Sequence, residues 1–458
     1  MSLRFGTDGI RGVANRDLTP EVALALGHTS ARHLPSNAFF VGADTRRSSP
    51  MLKAAFVAGL ASEGRHVFDL GVVPTPGLAW IVSSRGVPGA MVSASHNPFP
   101  DNGIKLISER GTKLSDSLEF EIETDLERLL AGLALEDRVP VVGEAVGEID
   151  DSHEVVDEYV DHLERAIQLP PEPHLTIVCD CGNGAAYEVA PRVFSRLELD
   201  VLVINNIPDG TNINANCGAT APDQLAEQVL AHGADLGLSF DGDADRMIAV
   251  DGKGGIVDGD VLMALFALDL KARGELEKDT IVATVMSNLG LRRALRDAGI
   301  ELLETPVGDR YVADALDERG LVLGGEQSGH IVFRRHSTTG DGILTGLKLV
   351  ELVARSGRSL GELSESALKR VPQELRNVKV ASPDRLEEAA GVWEAVALVE
   401  SRLGESGRVV IRSSGTESAV RVMVEADSRA MVDEALTTIV HAVEQELGPQ
   451  SRSRAVSP

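Results

Sequence analysis

Ala234–Val250 reads ADLGLSFDGDADRMIAV: an apolar run enters a loop of small and acidic residues, and a second apolar run leaves it. The same shape recurs at Gly89–Ile107 (GAMVSASHNPFPDNGIKLI) and at Leu321–Phe333 (LVLGGEQSGHIVF). Strand, polar loop, strand, three times over, predicts three similar α/β units that each present one loop. Loops at strand ends are where α/β folds keep their chemistry.

Outward from these loops, strand-like runs alternate with helical periods, which favours an α/β architecture. Ala38–Gly42 precedes the period Met51–Glu63 and the run His66–Leu70; Leu175–Cys179 precedes a helix from Ala185, followed by a strand at Asp200–Ile204. Thr280–Met286 precedes Leu289–Ala298, and Ile300–Glu304 precedes Tyr311–Arg319. After Ala367 the texture shifts to a smaller α+β module: a strand at Glu374–Val380, a helix at Arg385–Leu403, two strands within Arg408–Ala426 and a helix from Ala430 to Leu447. The polar tail Gly448–Pro458 reads as disordered.

The 458 residues suffice for several domains, and 44 Lys+Arg against 70 Asp+Glu give a net charge of −26 that disfavours nucleic acid and anionic membrane as partners. An anionic small molecule in a locally basic pocket stays compatible with that average. Three cysteines, Cys179, Cys181 and Cys217, make no disulfide framework and lack zinc-site spacing, so buried thiols are expected. No signal segment or membrane span is apparent, and the chain reads as cytoplasmic.

Asp241, Asp243 and Asp245 stand at i, i+2 and i+4, a cluster of anions that calls for a hard cation such as Mg²⁺; a solvated acidic turn is the alternative, and no Glu completes an EF-hand. Ser95, in SASHNP after a strand, can be aimed outward as a nucleophile or phosphate carrier, or belong to a plain Ser/Asn/Pro loop. In GGEQSGH, Gly324–His330, glycines let backbone approach a ligand while Glu326, Ser328 and His330 face it; a structural turn is the rival reading. Arg412-Ser-Ser414-Gly415-Thr416-Glu, followed by Arg421, has the chemistry of a phosphate nest or of a polar hairpin, and is no Walker loop. The histidines on helix-like faces, such as His28 and His162, read as structural.

FGTDGIRG, SASHNP with DNGIK, DGDADR, VGDRYV, GGEQSGH, TTGDGI and RSSGTES follow one another in this order from residue 4 to about 445. The series resembles the α-D-phosphohexomutase superfamily, most closely its bacterial phosphoglucosamine mutase branch. The resemblance implies three similar α/β domains with mixed sheets plus a smaller C-terminal α+β domain, heart-shaped around a central cleft. It divides the chain into residues 1–150 with the phosphoserine loop, 151–252 with the metal loop, 253–368 with the sugar-recognition loop, and a phosphate-binding domain at 369–447. By similarity Ser95 is the phosphoserine, and Asp241, Asp243, Asp245 and Ser95 hold one Mg²⁺. Arg11, His96, Lys105 and Arg246 surround the transferring phosphate. Glu326 and Ser328 meet the sugar, with His330 beside them as acid/base or positioning group. Arg412, Ser414, Gly415, Thr416 and Arg421 bind the other phosphate.

The implied reaction interconverts glucosamine 6-phosphate and glucosamine 1-phosphate through a sugar 1,6-bisphosphate, for amino-sugar and cell-wall precursors. A phosphoglucomutase or phosphomannomutase, or a non-catalytic sugar-phosphate-binding protein, is the alternative, and the implied assembly is a monomer or homodimer. Two positions depart from the pattern: Ser418 stands where proline is usual, and Ala244 where glycine is frequent.

Overall fold

The computed structural model describes residues 9–133, 140–171, 174–197, 199–414 and 418–448. The chain divides into two compact units. The first comprises Met1–Thr284 and Ile300–Ala367, the second Val285–Gly299 and Leu368–Pro458.

Three mixed sheets make up the first unit. In the first, β1 (Ile10–Val13), β2 (Ala38–Ala43), β3 (His66–Val72), β4 (Gly89–Val92), β5 (Asp101–Ile107) and β6 (Ile149–Asp151) are ordered β1-β5-β4-β2-β3-β6. The second contains β7 (Thr176–Asp180), β8 (Asp200–Ile204), β9 (Leu236–Phe240), β10 (Met247–Asp251) and β11 (Ile256–Val257), ordered β11-β10-β9-β7-β8. The third orders β12 (Thr280–Thr284), β13 (Glu301–Thr305), β14 (Leu323–Gly325) and β15 (Ile331–Phe333) as β13-β12-β14-β15.

One four-strand pattern repeats in all three sheets. A first strand pairs in parallel with a second on one side and with a third on the other, and the third is followed by an antiparallel return strand. The series are β5-β4-β2-β3, β10-β9-β7-β8 and β15-β14-β12-β13. The three polar loops of the sequence are the turns of the three antiparallel pairs, β4–β5, β9–β10 and β14–β15. β4 and β9 are buried along their whole length, which explains why they read as continuous apolar runs rather than alternating ones.

The second unit packs a three-stranded antiparallel sheet, β16 (Gln373–Lys379), β17 (Gly407–Ser413) and β18 (Ala419–Ala426) in the order β16-β18-β17, against helices Ala390–Leu403 and Arg429–Leu447. Two features differ from the sequence expectation. Arg385–Leu403 is not one helix: a 3₁₀ turn at Pro383–Glu388 is separated from Ala390–Leu403 by Ala389, at φ −78° and ψ 81°. The break lets Leu386 and Val392 both reach the core, and the Trp393 indole N–H donates to the Leu386 carbonyl across it. Helix Leu289–Asp297, which follows β12, belongs to the second unit, tied there by the Leu289 N–H to Glu425 and by Asn288 to Val371. The tail beyond Gly448 lies outside the described residues. Cys179, Cys181 and Cys217 are buried free thiols.

Candidate active site

Ser95 sits at the tip of the β4–β5 pair with φ +50°, in the left-handed region where a serine is strained. The turn is compact enough to leave Ser95 only 1% exposed. Its hydroxyl donates to Oδ2 of Asp241 at 2.6 Å, and Nδ1 of His96 lies 3.4 Å from the same oxygen. Burial and the charges of Arg246 and Arg11 push the His96 imidazole down to about 4, which keeps it neutral at physiological pH. Arg11 is carried by β1, where it pairs in register with Gly103 of β5.

The β9–β10 turn supplies three buried carboxylates, Asp241, Asp243 and Asp245, each with an oxygen within 4.8 Å of the others. Burial, together with Asp245 and Asp243, drives the Asp241 carboxyl well above the usual range. Asp245 moves the other way: against the effect of burial, its contact with His330 and the charges of Lys105 and Arg246 hold it low. Oδ1 of Asp243 and Oδ1 of Asp245 are buried without a hydrogen-bond partner, an arrangement costly to a protein unless a ligand completes it. Three convergent carboxylates with two orphaned oxygens fit a hard, oxygen-seeking cation.

Lys105 reaches across from β5 to place Nζ 2.8 Å from Oδ2 of Asp243 and 3.9 Å from Oδ2 of Asp245. The Thr75 hydroxyl donates to the same Asp243 oxygen at 2.7 Å, and the backbone N–H of Arg246 donates to Oδ1 of Asp241 at 3.1 Å. A cavity of about 430 Å³ opens beside Thr75, Lys105 and Asp245, with Lys113, Asp309 and Arg310 in its far wall.

The β14–β15 turn lies against β10. Gly329 there has φ +89°, and a Cβ at that position would stand 2.2 Å from the Met247 carbonyl oxygen, so only glycine fits. Glu326 accepts the Gly308 N–H at 3.2 Å and lies 3.4 Å from the Ser328 hydroxyl. His330 is buried, with Nδ1 3.6 Å from Oδ2 of Asp245 and Nε2 accepting the Gly340 N–H at 3.0 Å. The carboxylate raises this imidazole against the effect of burial, while the Gly340 N–H aimed at Nε2 opposes a proton on that nitrogen, so the ring proton is placed on Nδ1 and turned to Asp245. Both nitrogens are engaged, a geometry suited to fixing the β9–β10 turn.

Ser95, His96, Lys105, Asp241, Asp243, Asp245, Arg246 and His330 are thus brought together within the first unit, with Arg11 close enough to act on His96 through its charge. Glu326 and Ser328 form the adjoining loop. In the second unit Arg412 of β17 and Arg421 of β18 are directly paired residues, and burial together with Arg421 lowers the Arg412 guanidinium. Two like charges opposed on a ladder are unfavourable until an anion joins them. Ser414 is buried beside them, while Gly415 and Thr416 lie outside the described residues. Sequence reasoning passed over Thr75, which carries no motif of its own. It also left the aspartate of TTGDGI without a role: Asp341 caps helix Gly342–Ser356 and accepts the Tyr159 hydroxyl at 2.9 Å.

The chain matches the four successive domains of phosphoglucomutase/phosphomannomutase: domain I at residues 2–131, domain II at 157–255, domain III at 258–371 and the C-terminal domain at 375–442. It is 48% identical to a phosphoglucosamine mutase of Symbiobacterium thermophilum, over 98% of this chain and all of that one. With a phosphoglucosamine mutase of Mycolicibacterium smegmatis it shares 47% identity, over 93% of this chain and 95% of that one. A solved phosphoglucomutase/phosphomannomutase family protein of Burkholderia thailandensis superposes with a TM-score of 0.81 at 26% identity, covering 97% of each chain. The chain belongs to the phosphoglucomutase/phosphomannomutase family of isomerases.

Proposed function

We propose that the chain interconverts glucosamine 6-phosphate and glucosamine 1-phosphate in the cytoplasm, with Ser95 as the phosphate carrier. The observation that carries the reading is the 2.6 Å contact between the Ser95 hydroxyl and Asp241, in a chain nearly half identical to phosphoglucosamine mutases along its length. Phospho-Ser95 gives its phosphoryl group to the free hydroxyl of the sugar monophosphate: the Ser95 Oγ–P bond breaks, a sugar O–P bond forms, the hydroxyl proton ends on Ser95 Oγ, and a 1,6-bisphosphate results. The bisphosphate turns over and returns its other phosphate to Ser95, so the enzyme is regenerated and no net phosphate is consumed.

Asp241, Asp243, Asp245 and the Ser95 phosphate would hold one Mg²⁺, which supplies charge to the transferring phosphoryl group when bound. Lys105, Arg11 and Arg246 add fixed positive charge in a site already desolvated, where charge compensation acts most strongly. His330 holds Asp245 in place, and the neutral His96 stands beside Oγ. Glu326 and Ser328 are assigned to the sugar hydroxyls. Arg412, Ser414, Gly415, Thr416 and Arg421 are assigned to the phosphate that does not react, and the opposed guanidiniums of Arg412 and Arg421 support an anion there.

A panel of glucosamine, glucose and mannose 6-phosphates, each with a catalytic amount of its bisphosphate, tests the assignment. kcat/KM is expected to be highest for glucosamine 6-phosphate. A preference for glucose or mannose would reassign the chain within the family.

A further inference from the structure

Arg46 is among the largest side chains the protein buries completely, and the reaction outlined above does not use it. All five of its N–H donors are spent. Nε donates to Oδ2 of Asp44 at 2.8 Å; Nη1 donates to the carbonyls of Pro98 at 2.5 Å and Asp101 at 3.0 Å; Nη2 donates to those of Ser95 and Asn97, both at 2.8 Å. One guanidinium therefore gathers four carbonyl oxygens that would otherwise repel one another, and the gathering bends residues 95–101 into the turn that presents Ser95.

The amide side of Ser95 is fixed as well. Its N–H donates to the Ser93 hydroxyl at 2.9 Å, and that hydroxyl donates to Asp44 at 2.7 Å. From the loop that follows β8, Nδ2 of Asn214 donates to the same Ser95 carbonyl at 2.9 Å, and a Cβ on Gly242 of the β9–β10 loop would stand 2.5 Å from that oxygen. The Ser95 peptide groups are thus held on both sides by side chains that make no contact with Oγ. A serine at φ +50° needs such support, because an unconstrained turn would relax toward negative φ and carry Oγ away from Asp241.

We infer that Arg46 and Asn214 are positioning residues for phosphoryl transfer: Arg46 shapes the Ser95 turn and Asn214, whose own N–H donates to the Gly182 carbonyl, ties that turn to the loops of the second sheet. The inference rests on the reading of Ser95 as phosphate carrier. Lysine at position 46 keeps the charge but offers three donors from a single point, which do not reproduce the fork. Glycine at 214 removes the amide and suits the φ of +56° found there.

The experiment compares wild type, Arg46→Lys, Asn214→Gly and Ser95→Ala by intact mass during single-turnover loading from glucose 1,6-bisphosphate, with KM, kcat and thermal midpoint measured in parallel. Arg46→Lys and Asn214→Gly are expected to slow loading and kcat together by about tenfold to a hundredfold, the penalty of a misplaced nucleophile, with KM for the sugar phosphate unchanged. Asn214→Gly keeps the test decisive if Arg46→Lys does not fold. If the folded variants load at the wild-type rate and only the midpoint falls, both residues are structural and the inference is overturned. If Ser95→Ala itself turns over, the carrier assignment fails and the inference falls with it. A dead Ser95→Ala beside normally loading variants sinks the inference alone.

Discussion

Ala244 occupies the left-handed region at φ +59°, in the middle of the β9–β10 loop with its three aspartates, and is fully buried. A non-glycine residue there costs about 1–2 kcal/mol. Replacing it with glycine relieves that strain, but frees the unfolded chain by about 0.4–1 kcal/mol and forfeits roughly 0.8 kcal/mol of methyl burial. These terms nearly cancel, so alanine is tolerated at this left-handed position. Ala244→Gly should therefore change stability by less than about 1 kcal/mol, whereas Ala244→Val, β-branched at positive φ, should cost more than about 2 kcal/mol. Thermal unfolding of both variants checks this, and equal losses in the two would place the strain elsewhere. Ser95 has the same kind of backbone, held by Arg46 and Asn214 instead of tolerated.

At the scale of the element, helix Gly342–Ser356 begins at Asp341, whose Oδ1 accepts the Leu344 N–H at 2.9 Å. Burial raises this carboxyl to about 6, against the lowering effect of the Leu344 and Tyr159 hydrogen bonds. Between about pH 4 and 6 the folded chain then keeps a proton that the unfolded chain has released, so stability falls as pH rises through that window, by up to about 3 kcal/mol. An asparagine side chain does not titrate, and it is an equally good N-cap. Asp341→Asn should abolish that part of the decline between pH 4 and pH 7, read as the change in thermal midpoint; a variant whose midpoint falls as steeply as wild type would show that Asp341 is not the titrating group. The elements themselves were largely legible: the buried strands were apolar runs and the three loops announced themselves by composition. What periodicity did not carry was long-range partnership. Nothing in LGLRRALRD signals that helix Leu289–Asp297 leaves the third sheet for the second unit, and nothing near Ala389 marks the break before Ala390. Likewise the cluster of carboxylates was plain as three spaced aspartates, while Thr75, 168 residues from its partner Asp243, had no local signature.

Over the whole molecule, three copies of one strand order supply three loops to one centre within the first unit, and the second unit carries a different, three-stranded sheet on which Arg412 and Arg421 are paired. Arg421 separates the contributions. Arg421→Ala removes one of two opposed guanidiniums, so the protein without ligand should not lose stability, while affinity for the phosphosugar should fall about ten- to a hundredfold, as for loss of a charged hydrogen bond worth roughly 1.5–3 kcal/mol. Calorimetric titration with glucosamine 6-phosphate measures it; unchanged affinity would make the β17–β18 turn a structural hairpin. Loading of Ser95 with isotopically labelled phosphate, followed by a chase with unlabelled glucosamine 6-phosphate, tests the central claim most directly. The label should enter Ser95 and no other residue, then leave into glucosamine 1,6-bisphosphate at a rate compatible with kcat. Label that never enters Ser95, or that leaves it only as inorganic phosphate, would contradict the account.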